Sequence, residues 1–383
     1  MLVSMTIDQV LTHSVAQILP GKEALAKLME KRKIKLYLGI DPSNPQIHLG
    51  NAVALRKLRQ FQDLGHKVIL LIGDFTGMIG DPTDKSAARM KLTPKQVDQN
   101  AKTYKQQASK ILKFEGPNAA EVKFNSHWLG KLNSYEWLEL ISNFTLQQLE
   151  ERDMFVNRKK EGKPIHSNEL IYPIMQAYDS VYMEVDLEVG GTDQTFNMLA
   201  GRHLMKALKN KEKFILTVPL LIGTDGQKMG KSAGNFISIT ASPDDMFGQV
   251  MSIRDDLLQQ YFELCTDIDL KSVNLSQPMQ AKKSLAFEIV KTYHGEKAAK
   301  TAQAEFETVH QKGELPQDTE TQIEEGTSLI DALTKLTTSK SQTKRLLNQG
   351  AVEIDGKTAH DGKIKLQAGQ ILKVGKKRFV RIK

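Results

Sequence analysis

Nearly continuous apolar runs alternate with an amphipathic helical pattern in the first part of the chain. The runs IKLYLGI (34–40) and HKVILLIGDF (66–75) predict buried strands, and AVALRKLRQFQDLG (52–65) between them predicts a helix that Gly65 ends. Strands that are apolar throughout are typical of a parallel sheet covered on both faces. Strand, helix and strand in this order form a βαβ unit, which is right-handed by default.

The same alternation returns later in the chain. VYMEVDLEVGG (181–191) and KFILTVPLLIG (213–223) predict two further strands, and QTFNMLAGRHLMKAL (194–208) predicts the helix between them. A mostly helical stretch near 126–160 interrupts the alternation and could be an insertion or an oligomer contact. We therefore expect an α/β domain over 1–236, with a doubly wound, Rossmann-like parallel sheet and a helical insertion.

Three segments of different character follow this domain. Residues 237–312 have a helical pattern without strand signals and predict a small helical domain. Residues 313–326 are polar and acidic and predict a linker. Residues 327–383 predict a small α+β domain, with two helices and then short strands at AVEIDGKTA, DGKIKL and GQILKVGKKRFVRIK. At the other end of the chain, residues 1–30 have apolar positions at helical spacing and predict a helix packed on the protein.

Composition limits the class of protein. Of 383 residues, 40% are hydrophobic and 26% are charged, which is ordinary for a globular chain with cores of normal size. The single cysteine, Cys265, can form neither an internal disulfide nor a cysteine cluster around zinc. The chain has no apolar run of about 18 residues that would span a membrane, and its charged N-terminal segment is unlike a secretory signal. We expect a cytoplasmic protein without membrane association or structural metal.

The positive charge is concentrated at the C-terminal end. Residues 340–383 contain twelve Lys and Arg against three acidic residues, so they carry 12 − 3 = +9, and residues 1–339 sum to 8 − 9 = −1. A basic module beside a near-neutral body is typical of a protein that binds a polyanion, most often a nucleic acid. A solvated basic tail would have the same charge, so charge alone leaves both interpretations open.

Two short motifs carry the candidate chemistry. HLGN (48–51) lies between the first strand and its helix, at the edge of the sheet where ligands bind in open α/β folds. An imidazole, a glycine and a helix N-terminus at this position suit a nucleotide phosphate. KMGKS (228–232) follows the last predicted strand, and its two lysines can hold a pyrophosphate leaving group from two sides. Taken singly, the first could be a helix start with an incidental histidine and the second a solvated basic turn.

Together, the two motifs resemble the two signature sequences of class I aminoacyl-tRNA synthetases. The sequences YLGIDPSNPQIHLGN, LLIGDFTGMIGDPTDKSAAR, YPIMQAYDS and VGGTDQTFN are similar to those of bacterial-type tyrosyl-tRNA synthetases. The basic module resembles the alpha-L RNA-binding motif of that family, and 237–312 would be its helical anticodon-region domain. The resemblance covers nearly the whole chain. It implies a homodimeric tyrosine–tRNA ligase that uses ATP with Mg²⁺ to form tyrosyl-adenylate and pyrophosphate, and then transfers tyrosine to the 3′ end of tRNA(Tyr).

The resemblance also implies residues that bind tyrosine. Tyr37, on the first strand, and Asp179, in YPIMQAYDS, would hold the substrate phenol. Three residues would hold its ammonium group: Asp81, Tyr172 and Gln176. Gln194, in GGTDQ, would face the carboxylate or the forming adenylate.

A second set of residues would bind ATP. Asp41 and Asp193 would contact the nucleoside, and Gly39 and Gly191 would give it backbone clearance. The candidate catalytic residues at the phosphates are His48, Lys228 and Lys231. The complete ATP-binding set is Gly39, Asp41, His48, Gly50, Asn51, Gly191, Asp193, Lys228, Lys231 and Ser232. The resemblance implies no metal-ligating residue.

The chain departs from the family pattern at two positions. Asn51 stands where a second histidine is usual, and an amide can donate a hydrogen bond but cannot become cationic. Gly230 stands where serine is commoner, but the lysines of the motif remain, so we expect catalysis to be retained. Lys85 and Arg89 match the family more loosely and would add positive charge from a loop.

Each predicted residue also has a plainer interpretation. Tyr37 and Tyr172 could be ordinary half-buried aromatics. Asp81 could be a turn residue before Pro82, and Asp179 could cap a helix.

Two other functions fit parts of the pattern. Tryptophanyl-tRNA synthetase shares the fold, but Tyr37, Asp179 and the C-terminal module argue against it. A catalytically silent RNA-binding paralogue would share the basic module. The intact residues His48, Lys228 and Lys231 argue against that alternative.

Overall fold

A computed structural model describes most of the chain. The described residues are 5–43, 45–81, 93–227, 229–230, 234–310, 323–336, 343, 346–347, 349–375 and 378–383. They form two compact units, Met1–Ala299 and Lys300–Lys383. The predicted boundary at 236/237 falls inside the first unit, and the predicted linker at 313–326 falls mostly outside the described residues. The division into four segments therefore stays a prediction.

The first unit is built on a six-stranded sheet. Its strands are β1 (Gln17–Leu19), β2 (Lys35–Ile40), β3 (Lys67–Ile72), β4 (Glu121–Phe124), β5 (Leu187–Gly191) and β6 (Phe214–Val218). They lie in the order β1-β6-β5-β2-β3-β4, and every pair is parallel except β1 with β6. The predicted doubly wound α/β fold is confirmed. Because β2 pairs with β3 on one side and β5 on the other, the order of strands reverses at β2, and a ligand crevice is expected at the carboxyl ends of β2 and β5.

Helices connect these strands and continue beyond them. Their bounds are α1 (Ile7–Val10), α2 (Lys22–Lys31), α3 (Leu49–Asp63), α4 (Pro94–Ala108), α5 (Ser126–Leu129), α6 (Ser134–Ser142), α7 (Leu146–Glu150), α8 (Asp153–Lys160), α9 (Ser167–Met183), α10 (Thr195–Lys209), α11 (Pro243–Met251), α12 (Leu258–Cys265), α13 (Pro278–His294) and α14 (Glu296–His310). The predicted helices at α3 and α10 are confirmed, as is the helical character of 126–160. Within the described ranges, no helix is both long and apolar enough to cross a membrane.

Two element predictions in this unit are wrong. The N-terminal segment is not one helix, because residues 17–19 form β1 and add to the edge of β6 before Pro20 and Gly21 separate it from α2. The strand predicted at 181–191 begins only at Leu187, because Val181–Met183 form the buried last turn of α9. Short apolar runs do not distinguish a buried helix end from a strand.

The second unit combines a helix with a four-stranded antiparallel sheet. After the part of α14 that lies beyond Ala299, its described elements are α15 (Leu329–Leu336), β7 (Val352–Ile354), β8 (Lys357–Thr358), β9 (Ile371–Val374) and β10 (Arg378–Arg381), with the strands in the order β10-β9-β7-β8. The predicted Asp-Gly turn joins β7 to β8 with positive φ at Asp355 (49°) and Gly356 (78°), as a two-residue hairpin turn requires. The core is formed mainly by aliphatic residues of these elements, among them Leu329, Leu333, Val352, Leu372 and Val380.

The predicted strand DGKIKL in the second unit is also wrong. Among the residues that the structure describes in this unit, its one ladder contact is an isolated bridge between Ser328 and Lys365. Asp361 instead accepts hydrogen bonds from the N–H groups of Lys363 and Ile364, which makes a turn. The second helix predicted in this unit falls mostly outside the described residues.

Candidate active site

A cleft of about 310 Å³ lies at the carboxyl ends of β2 and β5, where the strand order reverses. All of the predicted site residues that the structure describes line it: Tyr37, Gly39, Asp41, His48, Gly50, Asn51, Asp81, Tyr172, Gln176, Asp179, Gly191, Asp193 and Gln194. Five predicted residues lie outside the described residues: Lys85, Arg89, Lys228, Lys231 and Ser232. The cleft therefore combines residues that are up to 193 positions apart, from Tyr37 to Gly230 (230 − 37 = 193).

Tyr37 and Asp179 lie at the buried end of the cleft, with exposed fractions of 0% and 2%. The Tyr37 hydroxyl is 2.9 Å from Ser180 Oγ. The two Asp179 oxygens accept hydrogen bonds from Trp128 Nε1 at 2.7 Å and from Asn125 Nδ2 at 3.2 Å. Tyr37 is thus not a half-buried aromatic, and Asp179 lies inside α9 and caps no helix.

Burial determines the protonation of these groups. It raises the pKa of Tyr37 well above its ordinary value, and the nearby carboxyl groups of Glu188 and Asp179 add to the effect. Tyr37 is therefore a neutral hydroxyl at any physiological pH. Burial also raises the pKa of Asp179, and the hydrogen bonds from Trp128 and Asn125 oppose this rise only in part.

Tyr172 and Asp41 form one hydrogen-bonded group. The Tyr172 hydroxyl donates to Asp41 Oδ2 at 2.8 Å, and Thr76 Oγ1 donates to Asp41 Oδ1 at 2.7 Å. Asn125 Nδ2 lies 3.0 Å from Thr76 Oγ1 and links this group to Asp179. Burial, together with the charge of Asp41, raises the pKa of Tyr172 well above its ordinary value, so Tyr172 remains a hydrogen-bond donor. Tyr172, which is expected to bind tyrosine, is therefore hydrogen-bonded directly to Asp41, which is expected to bind ATP.

Asp81 forms a second group with Gln194. Gln194 Nε2 donates to Asp81 Oδ2 at 2.5 Å, and Asn197 Nδ2 donates to Gln194 Oε1 at 3.0 Å. Arg152, which is 5% exposed and comes from the helical stretch before α8, donates to Asp81 Oδ1 at 2.8 Å. Asp81 is therefore more than a turn residue, and a substrate ammonium beside it would share its carboxylate with the Arg152 guanidinium.

His48 and Asn51 cap the start of α3. Asn51 N–H donates to His48 Nδ1 at 3.3 Å, and His48 N–H donates to Asn51 Oδ1 at 3.3 Å, which is a reciprocal capping box. Because Nδ1 accepts this hydrogen bond, the neutral imidazole carries its proton on Nε2. Asn51, in place of the usual second histidine, thus completes the cap and retains Nδ2 as a donor.

The segment that follows the second motif packs beside the first motif. Leu49 N–H donates to Ile237 O at 2.9 Å, and Ile239 N–H donates to Ile47 O at 3.1 Å. Met229, inside the second motif, lines the same cleft as HLGN. The backbone of the second motif is held by Asn235, whose Oδ1 accepts from Gly230 N–H at 2.9 Å.

Gly39 and Gly191, the two glycines predicted to give backbone clearance, differ in how much space the fold leaves for a side chain. A Cβ on Gly191 would lie 2.7 Å from Asp193 Oδ1 and 2.9 Å from Leu220 Cδ2, so a side chain there would require both neighbouring side chains to move. A Cβ on Gly39 would meet only ordinary contacts, the nearest being Tyr37 Cε2 at 3.7 Å. A requirement for glycine at position 39 would therefore have to come from a ligand in the cleft.

Sequence reasoning missed several polar residues of the cleft and its surroundings. They are Thr76, Asn125, Trp128, Arg152, Ser180 and Glu188. Two of them had a usable signal, because Asn125 directly follows β4 and Glu188 is the charged residue within the otherwise apolar β5. Polar residues at the carboxyl ends of parallel strands converge at one edge of the sheet. The others lie in helices or, like Arg152, directly beside one, and no local pattern specifies how those helices pack on the sheet.

Comparison with known proteins identifies the class. The family model for class I tRNA synthetases (W and Y) matches residues 29–311. The chain therefore belongs to this family. Within it, a tyrosine–tRNA ligase of Moorella thermoacetica is 44% identical over 98% of this chain and 95% of the relative, and one of Thermotoga maritima is 42% identical over 98% and 96%. The resemblance to bacterial-type tyrosyl-tRNA synthetases is confirmed.

Solved structures agree with the fold. A tyrosyl-tRNA synthetase of Archaeoglobus fulgidus, complexed with L-tyrosine, superposes with a TM-score of 0.62 at 22% identity, over 78% of this chain and 100% of that chain. A truncated mitochondrial tyrosyl-tRNA synthetase of Coccidioides posadasii gives the same TM-score at 22% identity, over 78% and 90%. At this level of identity, the likeness concerns the fold alone.

Proposed function

We propose that this protein is a tyrosine–tRNA ligase, which activates L-tyrosine with ATP and transfers it to tRNA(Tyr). The observation that carries the proposal is that a buried hydroxyl and a buried carboxyl group, Tyr37 and Asp179, line the same cleft as His48, which lies at a helix N-terminus. A phenol fits between the first two groups because it can both accept and donate a hydrogen bond. The indole N–H of tryptophan can only donate, so this pair favours tyrosine.

Adenylate formation needs positioning more than acid–base chemistry. The tyrosine carboxylate is already a nucleophile; its oxygen forms a bond to the α-phosphorus of ATP while the bond to pyrophosphate breaks. Donors around the phosphates stabilise the charge that develops there. His48 Nε2 is such a donor, and Lys228 and Lys231 would supply positive charge to the leaving pyrophosphate. We expect Mg²⁺ to enter with ATP, bound by its phosphate oxygens.

The second step uses the nucleic acid as the acceptor. A terminal ribose hydroxyl of tRNA(Tyr) attacks the adenylate carbonyl, so an ester bond forms and AMP leaves. The +9 charge of residues 340–383 supports tRNA as the partner, because lysine and arginine contacts with phosphates supply much of nucleic-acid affinity. A protein with this substrate would act in the cytoplasm.

An exposed apolar face supports the proposal of a homodimer. Four large apolar side chains of α6, α7 and α9 are exposed: Tyr135 (85%), Leu138 (65%), Leu146 (55%) and Tyr182 (54%). The three helices are neighbours, because α6 and α7 both pack on α9. Clusters of exposed apolar side chains mark interaction surfaces in soluble proteins. We name these four residues the α6–α9 face and propose a second copy of the chain as its partner.

Amino-acid-dependent exchange of pyrophosphate into ATP tests the proposed function. Exchange should depend on tyrosine, and tryptophan should support far less at equal concentration. Exchange driven by tryptophan would instead assign the protein to the other branch of the family. Absence of exchange with either amino acid, combined with retained tRNA binding, would favour the catalytically silent RNA-binding alternative.

A further inference from the structure

A buried ion pair lies next to the amino-acid end of the cleft. Lys213 Nζ contacts Glu188 Oε2, and the exposed fractions of the two side chains are 0% and 3%. In the parallel ladders, Glu188 of β5 is opposite Tyr37 of β2 and opposite Ile215 of β6. Because Lys213 lies two residues before Ile215, all of these side chains project from the same face of the sheet.

The protein provides a specific space for the Lys213 ammonium. Its Nζ also donates to Met198 O of α10 at 3.2 Å. A Cβ on Gly201 of α10 would lie only 2.4 Å from Nζ, so a glycine keeps this space open. A buried ion pair often stabilises a fold no more than an apolar pair of the same volume, because both charges lose their hydration. A contribution to stability is therefore not a sufficient explanation for the presence of a buried ion pair at this position.

The pair determines how Gln176 is oriented. Gln176 Nε2 donates to Glu188 Oε1 at 2.9 Å, and Glu188 lines the cleft. Glu188 is thus the acidic partner of the Lys213 ammonium, and a carboxylate can only accept hydrogen bonds. Gln176 must then present its NH₂ group to Glu188, which leaves Oε1 as the end of the amide that can accept from a substrate.

We propose that Lys213 and Glu188 form a positioning pair for the substrate ammonium group. The pair acts by fixing the orientation of the Gln176 amide. The inference rests on the proposed function, under which Gln176 binds the ammonium of tyrosine. Lys213 is not among the residues that line the cleft, so it acts through Glu188 and Gln176.

The test compares two ligands in the full-length protein. Lys213→Met removes the charge and keeps most of the side-chain length. Equilibrium dialysis measures Kd for tyrosine and for 3-(4-hydroxyphenyl)propionate, which lacks the amino group. We expect Kd for tyrosine to rise about tenfold, as for loss of one hydrogen bond to a charged group, and Kd for the analogue to change less than about twofold. An equal change for both ligands, or no change for either, would overturn the proposal.

Two further variants keep the test decisive. If Lys213→Met does not fold, the double variant Glu188→Gln/Lys213→Met leaves no unpaired buried charge. The double variant should also raise Kd for tyrosine more than Kd for the analogue. An amide at position 188 can both donate and accept hydrogen bonds, so it no longer fixes how Gln176 is oriented.

Arg158→Met is the matched control, because it removes a partly buried 2.8 Å ion pair with Glu169 among residues that do not line the cleft. Its Kd values should equal those of the wild type; a matching loss of tyrosine affinity in the control would assign the Lys213 effect to general destabilisation.

A double-mutant cycle tests the route through Gln176. Gln176→Leu should weaken tyrosine binding, and adding Lys213→Met to it should cost little more, because the group that Lys213 orients is already absent. Additive losses would contradict the proposed route. Tyrosine-dependent pyrophosphate exchange by the wild type decides the proposed function separately, since its failure does not depend on any variant.

Discussion

At the scale of single residues, His48 has two separable tasks. Its Nδ1 accepts the N-cap hydrogen bond of α3, and its Nε2 carries the proton that can be donated to phosphate oxygens. The first task contributes to folding, whereas the second would contribute to the transition state of adenylate formation. A substitution that keeps an N-cap acceptor but removes the imidazole should separate them.

We expect His48→Ala to slow adenylate formation by about 2–4 kcal/mol, the usual cost of removing one charge-stabilising donor, with little change in tyrosine affinity. It should also lose about 1 kcal/mol of unfolding free energy with the cap. His48→Asn should recover the stability but not the rate, since asparagine is a good N-cap residue. Rapid-quench kinetics and urea unfolding measure the two effects. Unchanged activation in His48→Ala would refute a role at the phosphates.

Tyr37 tests the choice between tyrosine and phenylalanine. Tyr37→Phe removes one partner of the substrate hydroxyl and should cost tyrosine about 0.5–1.5 kcal/mol in kcat/KM, the net worth of a neutral hydrogen bond. The kcat/KM for phenylalanine should fall little or rise slightly. The ratio of kcat/KM for tyrosine to that for phenylalanine should therefore decrease.

Pyrophosphate exchange with each amino acid gives this ratio. Ser180→Ala is the matched control, because it removes the 2.9 Å partner of Tyr37 but leaves the Tyr37 hydroxyl in place. Ser180→Ala should decrease the ratio less than Tyr37→Phe does. A ratio equal to that of the wild type in Tyr37→Phe would mean that Tyr37 does not contact the hydroxyl.

At the scale of elements, α9 connects the cleft to the α6–α9 face. Tyr172, Gln176 and Asp179 follow one another at helical spacing on one side of α9 and line the cleft. Tyr182, one turn beyond Asp179, is exposed and stacks on Trp128, with ring centroids 4.6 Å apart. Trp128 Nε1 in turn donates to Asp179. Tyr182 and Trp128 therefore connect the exposed face to Asp179, the predicted partner of the substrate phenol.

The dimer proposal is tested on this face. The wild type should sediment at about twice the 42.9 kDa mass of the chain at micromolar concentration. Leu138→Lys should shift it towards the monomer, because a charge would have to be buried without a partner. Met279→Lys, at another exposed apolar position on α13, should leave the mass unchanged. Sedimentation equilibrium measures all three proteins, and a monomeric wild type would contradict the proposal.

At the scale of the whole molecule, the two units have separate cores and separate chemistry. The described cleft residues belong to the first unit, and the segment 340–383, with its net charge of +9, belongs to the second. We therefore expect removal of the residues after Gly326 to leave tyrosine activation nearly intact and to abolish most tRNA charging, because phosphate contacts supply much of the affinity for tRNA.

Pyrophosphate exchange and aminoacylation, compared at physiological salt, test this separation. A full-length variant in which the exposed residues Lys357, Lys363 and Lys365 are replaced by Gln is the matched control. It should charge tRNA more weakly, and with a smaller dependence on salt, while its activation stays unchanged. Undiminished charging by the truncated protein would show that the C-terminal unit is not needed for tRNA.

The sequence alone determined the elements that local patterns specify. The apolar runs at β2, β3 and β6 and the amphipathic pattern at α3 predict strands and a helix because period and burial are local properties of the chain. The motifs around residues 48–51, 172–179 and 191–194 likewise identified residues that prove to line one cleft. Local patterns failed at Val181–Met183, where an apolar run serves equally well as a helix end or a strand.

Only the tertiary structure decided which distant side chains meet. Asp41 with Tyr172, Asp179 with Trp128, and Lys213 with Glu188 are contacts between different elements, and their existence depends on strand order and helix packing rather than on spacing along the chain. Lys213 is the plainest case. In the sequence it is one lysine among several in KNKEK, whereas in the fold it is fully buried beside a carboxylate, because the parallel ladder places its neighbour Ile215 opposite Glu188.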